Sequence, residues 1–162
     1  MADPAQATGP EVWFYHLQRQ TLDQVLPVLL ERSLARKWRA VVQAASDDQI
    51  KSLDKALWTY SPESFLAHGT DAEGDAQLQP IWLTKTSDNP NAASLRVLTD
   101  GVDPFAAAQD QAYERVMVIF DGNDDEQLSN ARASWKQLRD AGHTLSYWQQ
   151  GEDGRWSKKA SS

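Results

Sequence analysis

Apolar residues along this chain follow two spacings, one typical of buried strands and the other of amphipathic helices. Apolar runs at residues 11–17 and 114–120 are rich in aromatic and β-branched side chains, which predicts strands. After the first run, leucine and valine recur at helical spacing over residues 22–34. Strands and helices that alternate in this way predict βαβ units with a parallel sheet.

The same patterns predict the remaining elements. Further strands are expected at residues 39–45, 81–84, 95–99 and 144–149, and further helices at 46–58, 104–108 and 124–141. Pro27 should kink the first helix or mark its effective start. The polar segments 69–79 and 85–93 are predicted as loops. The expected fold is α/β, a single three-layer domain with a mostly parallel, Rossmann-like central sheet.

The chain divides into three predicted parts. Residues 1–10 form a flexible leader, which lacks the basic and apolar regions of a signal peptide. Residues 11–151 form one α/β domain, since 162 residues suffice for a single domain with a real core. Residues 152–162 form a C-terminal strand or basic tail.

Composition excludes several classes of function. The net charge of −7 gives no overall positive field for DNA, so we expect no strong direct nucleic-acid binding, only local contact or contact through another protein. No apolar window reaches membrane-spanning length, so no membrane partner is expected. The absence of cysteine excludes disulfides and thiolate zinc sites and fits a cytoplasmic location.

No catalytic, cofactor or metal site is predicted. Neither a P-loop nor a Gly-x-Gly-x-x-Gly motif occurs. Asp121 follows an apolar strand, as in P-loop NTPases, but without the phosphate loop it is interpreted as a turn residue. His16, His68 and His143 have no metal-ligand spacing, and each is expected to be structural.

The helix predicted at 124–141 carries a cationic face. No acidic residue occurs from Ser129 to Arg139, and Arg132, Lys136 and Arg139 lie at i, i+4 and i+7 on one side of the helix. Trp135 lies on the adjacent apolar side. Such a face favours an acidic peptide or phosphate, because arginine recognises carboxylates by paired hydrogen bonds. The alternative is a solvated helix face with Trp135 in the core.

Two other stretches are open to alternative interpretations. Trp58 and Phe65 flank Pro62 at the end of a predicted helix, so this aromatic pair either fills a core or docks a partner. Four cations crowd the end of the first helix, where they complement the helix dipole or bind a ligand. They are Arg32, Arg36, Lys37 and Arg39.

Several stretches together resemble the chi subunit of bacterial DNA polymerase III holoenzyme. The most specific are residues 53–68, with Ala-Leu-Trp and Pro-Glu-Ser-Phe-Leu-Ala-His, and then 120–122, 131–143 and 147–156. The similarity extends from about Val12 to Lys159. It implies one α/β domain with a nucleotide-binding-like sheet but no nucleotide chemistry, in an accessory, non-catalytic subunit.

The resemblance also implies two binding surfaces. One binds the acidic, Phe-terminated tail of single-stranded DNA-binding protein. By position, Arg132 would take the terminal carboxylate, Trp135 would line the Phe pocket, and Lys136 and Arg139 would attract the acidic residues. The other surface, carried over to Trp58 and Phe65, binds the psi subunit of the clamp loader or an accessory helicase.

The chain departs from the family pattern at two positions near the tail site. Leu128 stands where some members have a lysine, and Asp121 stands where a small apolar residue is found. One cation is thereby lost and one anion gained. Tail affinity is expected to fall unless Arg139, Lys136 and the basic residues 155–159 compensate.

Two other functions remain as alternatives. Strand–helix alternation alone also fits a nucleotide-binding or hydrolytic enzyme on a Rossmann-like fold, although fold does not imply function. Tryptophan and arginine stacking fits a direct single-strand binder, against which the net charge argues.

Overall fold

The structure, a computed structural model, describes residues 9–60, 66–71 and 74–162. The strands are β1 Glu11–Leu17, β2 Ala40–Gln43, β3 His68–Thr70, β4 Ile81–Thr84, β5 Leu95–Leu98, β6 Arg115–Asp121, β7 Leu145–Gln150 and β8 Trp156–Ser161. The helices are α1 Leu22–Ala35, α2 Asp47–Thr59, α3 Phe105–Ala108 and α4 Asp125–Asp140, with a 3-10 turn at Ala76–Leu78.

The eight strands form one sheet in the order β3-β4-β2-β5-β6-β1-β7-β8. Every neighbouring pair is parallel except β7 and β8, which are antiparallel. Helices α1 and α2 contribute to the hydrophobic core on one face of the sheet, and α3 and α4 to the core on the other. The predicted fold, a three-layer α/β domain with a mostly parallel sheet, is confirmed.

Strand β1 shows why its sequence is a nearly continuous apolar run. Val12 and Phe14 point into the core beneath α3 and α4, whereas Tyr15 and Leu17 point into the core beneath α1 and α2. Successive side chains of a strand alternate between faces, so a strand covered on both sides must be apolar at both sets of positions.

Some sequence-based expectations differ from the structure. Helix α1 does not start at Pro27: the backbone N–H of Thr21 donates to Gln24 Oε1 at 3.0 Å, which caps the helix and starts it at Leu22. Pro27 is buried within the helix, where it forfeits one backbone hydrogen bond. The segment 69–79 is not all loop, because Gly69 and Thr70 belong to β3.

Two predicted features fall partly or wholly outside the described residues. Most of the leader, residues 1–8, lies there, and so does Phe65. The predicted C-terminal strand is present as β8 and pairs with β7 at the sheet edge. No helix within the described ranges is long and apolar enough to span a membrane.

Candidate protein-binding site on helix α4

Both ends of helix α4 are fixed by local hydrogen bonds. At the start, Asp124 Oδ1 accepts from the backbone N–H groups of Glu126 at 3.0 Å and Gln127 at 3.1 Å. At the end, Gly142 adopts a φ of 88°, and His143 N donates to Leu138 O at 3.1 Å. These caps set the ends of α4, and the packing of Ala131 and Leu138 against the core sets which side of the helix faces the sheet.

Trp135 is half-buried and wedged edge-on against two aromatic rings of the sheet. Its ring centroid lies 5.4 Å from that of Phe14, at 72°, and 5.8 Å from that of Tyr147, at 82°. Edge-to-face pairs of this kind add stability beyond the area that they bury. Trp135 therefore packs against the core with part of its surface, while the rest of the side chain remains accessible.

The three predicted cations are all solvent-exposed. Arg132 lies one turn before Trp135 on α4, and its charge opposes protonation of His16 and favours ionisation of Tyr147, so it lowers the pKa values of both. Arg139 Nη2 lies 3.2 Å from Asp140 Oδ1, so its charge is partly offset by a neighbour. Arg132 and Lys136 are both exposed on this side of α4, and neither forms an ion pair with another residue of the described ranges.

His16, which is buried, and Tyr147, which is partly buried, form a polar pair that the sequence did not reveal. His16 Nδ1 and the Tyr147 hydroxyl are hydrogen-bonded at 2.6 Å. Burial lowers the pKa of His16, Arg132 lowers it further, and Asp121 opposes both effects. Burial also raises the pKa of Tyr147, against the effect of Arg132. A neutral imidazole and a neutral phenol therefore lie beside an exposed guanidinium.

The backbone of Gly122 makes room for this pair. A Cβ at position 122 would lie 1.9 Å from His16 Nε2 and 2.8 Å from the carbonyl oxygen of Leu17. Within the described part of the chain, His16 Nε2 is buried without a hydrogen-bond partner. The alternation of β1 places Phe14 and His16 on one face of the sheet. This was the one feature of the sequence that could have pointed to His16 as part of the α4 surface. Their pairing with β7 depends on sheet register and is not readable locally.

The two departures from the family pattern lie at the margin of this face. Leu128 is partly buried and packs against the core beneath α4. Asp121 is exposed, and its Oδ1 accepts from the backbone N–H of Asn123 at 2.9 Å, so the carboxylate also closes a turn. Position 128 therefore contributes an apolar side chain to the core and no cation to the surface. Asp121 contributes a carboxylate near His16 that the turn holds in place.

The second predicted surface lies on the opposite side of the sheet. Trp58, in the last turn of α2, is 53% exposed. Its ring centroid is 4.8 Å from that of His68. The imidazole of His68 is held between Asp54 Oδ1 and the carbonyl of Leu66, at 2.7 Å from each. The structure does not bring Trp58 and Trp135 together, because α2 and α4 cover opposite faces.

The carboxyl edge of the sheet, where open α/β folds bind ligands, holds a cavity of about 300 Å³. Its lining includes Arg19, Asp100 and Asp121, and it contains no glycine-rich loop. Asp100 Oδ2 accepts from the backbone N–H of Ala45 at 3.0 Å, so this carboxylate has a structural partner. Across the described ranges, no cluster of three His, Asp or Glu residues could hold a metal ion.

Comparison with known proteins shows which family the chain resembles. Residues 10–146 match the family described as "DNA polymerase III chi subunit, HolC". A protein of Rickettsia prowazekii (strain Madrid E), described as "Probable DNA polymerase III subunit chi", is 29% identical over 111 residues, which cover 66% of this chain and 67% of the relative.

The extent of the family match decides between the functional classes considered above. A chi subunit is an accessory and not a catalytic part of DNA polymerase III, so the prediction of a non-catalytic subunit is confirmed. The interpretation as a nucleotide-binding or hydrolytic enzyme loses its basis, which was the fold alone. The chain belongs to the DNA polymerase III chi subunit family.

Proposed function

We propose that this chain connects the clamp loader of DNA polymerase III to single-stranded DNA-binding protein by holding that protein's acidic C-terminal tail on helix α4. Arg132 takes the terminal carboxylate, and Trp135 forms one wall for the terminal phenylalanine. Lys136 and Arg139 attract the acidic residues of the tail, which mainly raises the association rate.

The observation that carries this proposal is the juxtaposition of an exposed cation with a wedged aromatic ring. Arg132 is exposed, and Trp135 is held between Phe14 and Tyr147. A ring that is already immobilised loses little conformational entropy on binding, which suits it to act as an anchor. The neutral state of His16 leaves Arg132 as the charged donor of this cluster.

Titration of a fluorescent acidic peptide that ends in phenylalanine tests the proposal. Arg132→Ala is expected to weaken binding about 10- to 100-fold, because hydrogen bonds to a charged group contribute about 1.5–3 kcal/mol. Arg19→Ala, an exposed arginine outside the face, serves as the matched control and should bind like wild type.

A second peptide that ends in a carboxamide identifies the group that Arg132 recognises. Wild type should bind the amide more weakly than the acid, whereas Arg132→Ala should bind both peptides alike. Equal binding of the acid peptide by wild type and Arg132→Ala would contradict the assignment of the site to Arg132. No binding by wild type at low salt would contradict the tail-binding function itself.

Trp58 is proposed as part of a second docking surface, with Phe65, for a psi subunit or an accessory helicase. The support is that Trp58 is 53% exposed, because tryptophan is enriched among the residues that carry most of the binding energy at protein interfaces. Affinity capture from the native lysate with wild type, Trp58→Ala, Phe65→Ala and Arg132→Ala tests it. Trp58→Ala and Phe65→Ala should lose one partner, and Arg132→Ala should lose single-stranded DNA-binding protein. Loss of the same proteins from all three variants would contradict two separate surfaces.

A further inference from the structure

The cations at the end of α1 do not share a single role. Arg39 Nη1 donates to the carbonyl oxygens of Gln77 at 2.8 Å and Asn91 at 3.3 Å, which makes it structural. Arg36 instead lies over the ring of Trp38, 4.4 Å from its centroid. Attraction between the guanidinium and the face of the indole ring holds Arg36 beside Trp38.

Arg36 is the first member of a row of cations and indole rings. Arg115, at the start of β6, lies 5.2 Å from the centroid of Trp38 and 3.6 Å from that of Trp13. Trp13 stacks on Trp148 with centroids 5.0 Å apart. We call this row the tryptophan–cation ladder; it ends at Lys158, whose Nζ lies 5.8 Å from the centroid of Trp148.

The ladder crosses the sheet on the face opposite to α4. Trp13 and Phe14 are consecutive in β1, so their side chains point to opposite faces. Phe14 contacts Trp135, whereas Trp13 packs with the core beneath α1 and α2. The rings of Trp13, Trp38 and Trp148 are only partly buried. The ladder is therefore a surface distinct from the proposed tail site.

Among the described residues, Arg115 of the ladder has little charge compensation. Arg115 is nine-tenths buried, and within the described ranges its closest carboxylate oxygen is that of Glu11, at 3.9 Å. Its Nε has no hydrogen-bond partner among the described residues. Arg36 lies close enough to lower the pKa of Arg115 by repulsion, after the larger effect of burial. A cluster of like charges held together in this way is complementary to an anionic ligand.

We infer that the tryptophan–cation ladder binds single-stranded nucleic acid, with phosphates on Arg36 and Lys158 and bases stacked on the accessible parts of Trp38 and Trp148. Cations and aromatic rings interspersed along one row suit a strand that carries both phosphates and bases. An acidic peptide would satisfy the cations but leave the indole surfaces unused. The net charge of −7 does not prevent this, because charges farther than about 8 Å away are largely screened at physiological salt.

The test is a fluorescence-anisotropy titration of an oligothymidylate about 20 nucleotides long, which exceeds the span of one typical single-strand module. Wild type should bind at low salt, with quenching of tryptophan fluorescence. Trp38→Ala should weaken binding about 5- to 100-fold, the effect of losing one stacked base. Arg36→Glu and Lys158→Glu should each weaken binding and lower the slope of log K against log salt by about 0.7, the value for one phosphate contact on a single strand.

Lys51→Glu is the matched control, because Lys51 is an exposed cation on α2 outside the ladder. Circular dichroism shows whether each variant is folded, and Arg36 and Lys158 are exposed, so their replacement should leave the fold intact. Absence of binding at low salt would overturn the inference, as would equal weakening by Lys51→Glu. Displacement of the oligonucleotide by polyglutamate at equal charge concentration would assign the face to acidic peptides instead and would also overturn it.

Discussion

Trp135 and Trp58 both lie on helices and both belong to predicted binding sites, but their surroundings differ. Trp135 is wedged between Phe14 and Tyr147 and is half-buried. Trp58 is 53% exposed and rests on the imidazole of His68. The comparison shows that tryptophans in similar sequence settings need not contribute equally to folding. The first contributes to the core as well as to the proposed site, whereas the second contributes mainly surface.

The largest expected effect separates these two residues by stability. Trp135→Ala should lower the free energy of unfolding by about 3 kcal/mol, because it leaves a cavity between two core aromatics. Trp58→Ala should lower it by less than about 1 kcal/mol, as is usual for an exposed position. Urea denaturation followed by circular dichroism measures both. Trp135→Phe is the control and should recover part of the loss. Equal losses of unfolding free energy in Trp135→Ala and Trp58→Ala would contradict the different contributions of the two tryptophans to folding.

A smaller effect tests the tight packing beneath the α4 face. Gly122→Ala should destabilise the fold by about 1–3 kcal/mol, because the new methyl group would overlap His16 Nε2 and approach the Leu17 carbonyl. Gly74→Ala is the control for an added methyl group, because position 74 has open space and only its φ of 77° opposes the change. Chemical shifts of the His16 ring should move in Gly122→Ala alone. Unchanged shifts would contradict the close contact.

The hydrogen bond between His16 and Tyr147 should contribute about 1 kcal/mol to stability. Tyr147→Phe removes it and leaves the ring that contacts Trp135 in place. Tyr60→Phe removes an exposed hydroxyl bonded to Glu31 at 2.8 Å and should cost less than about 0.5 kcal/mol. Denaturant unfolding of the two variants measures the difference, and a larger loss for Tyr60→Phe would show that the buried pair is unimportant.

The smallest effect concerns pH. The pKa of His16 in the folded protein is below its ordinary value of about 6.5, mainly because of burial. As the pH falls below about 6.5, the unfolded chain therefore takes up a proton first, and stability decreases until the pH is below the folded pKa. Above about pH 6.5 the His16 imidazole is neutral in both the folded and the unfolded chain, so its titration no longer changes stability with pH. His16→Gln should flatten the difference in stability between pH 7.5 and pH 5.5, and an unchanged difference would exclude His16 as a source.

Local patterns were sufficient for elements whose signals lie within one segment. Helix α4 could be predicted from its acidic first turn and from Gly142 just past its end. In the structure, Asp124 caps the start of the helix and Gly142 follows its end. Strand β3 could not, since His68, Gly69 and Thr70 show no apolar alternation and pair with β4 through register alone. The ladder was also missed, because its members come from well-separated segments of the chain.

The sequence by itself determined the strands and helices other than β3, the family and the cationic face of α4, because each depends on residue types within local segments. Only the tertiary structure decided that Trp135 is wedged, that Trp58 is exposed and that His16 meets Tyr147. The physical reason is that burial and cross-strand contacts depend on sheet register. Register brings together residues as distant as positions 16 and 147, and no local pattern contains that information.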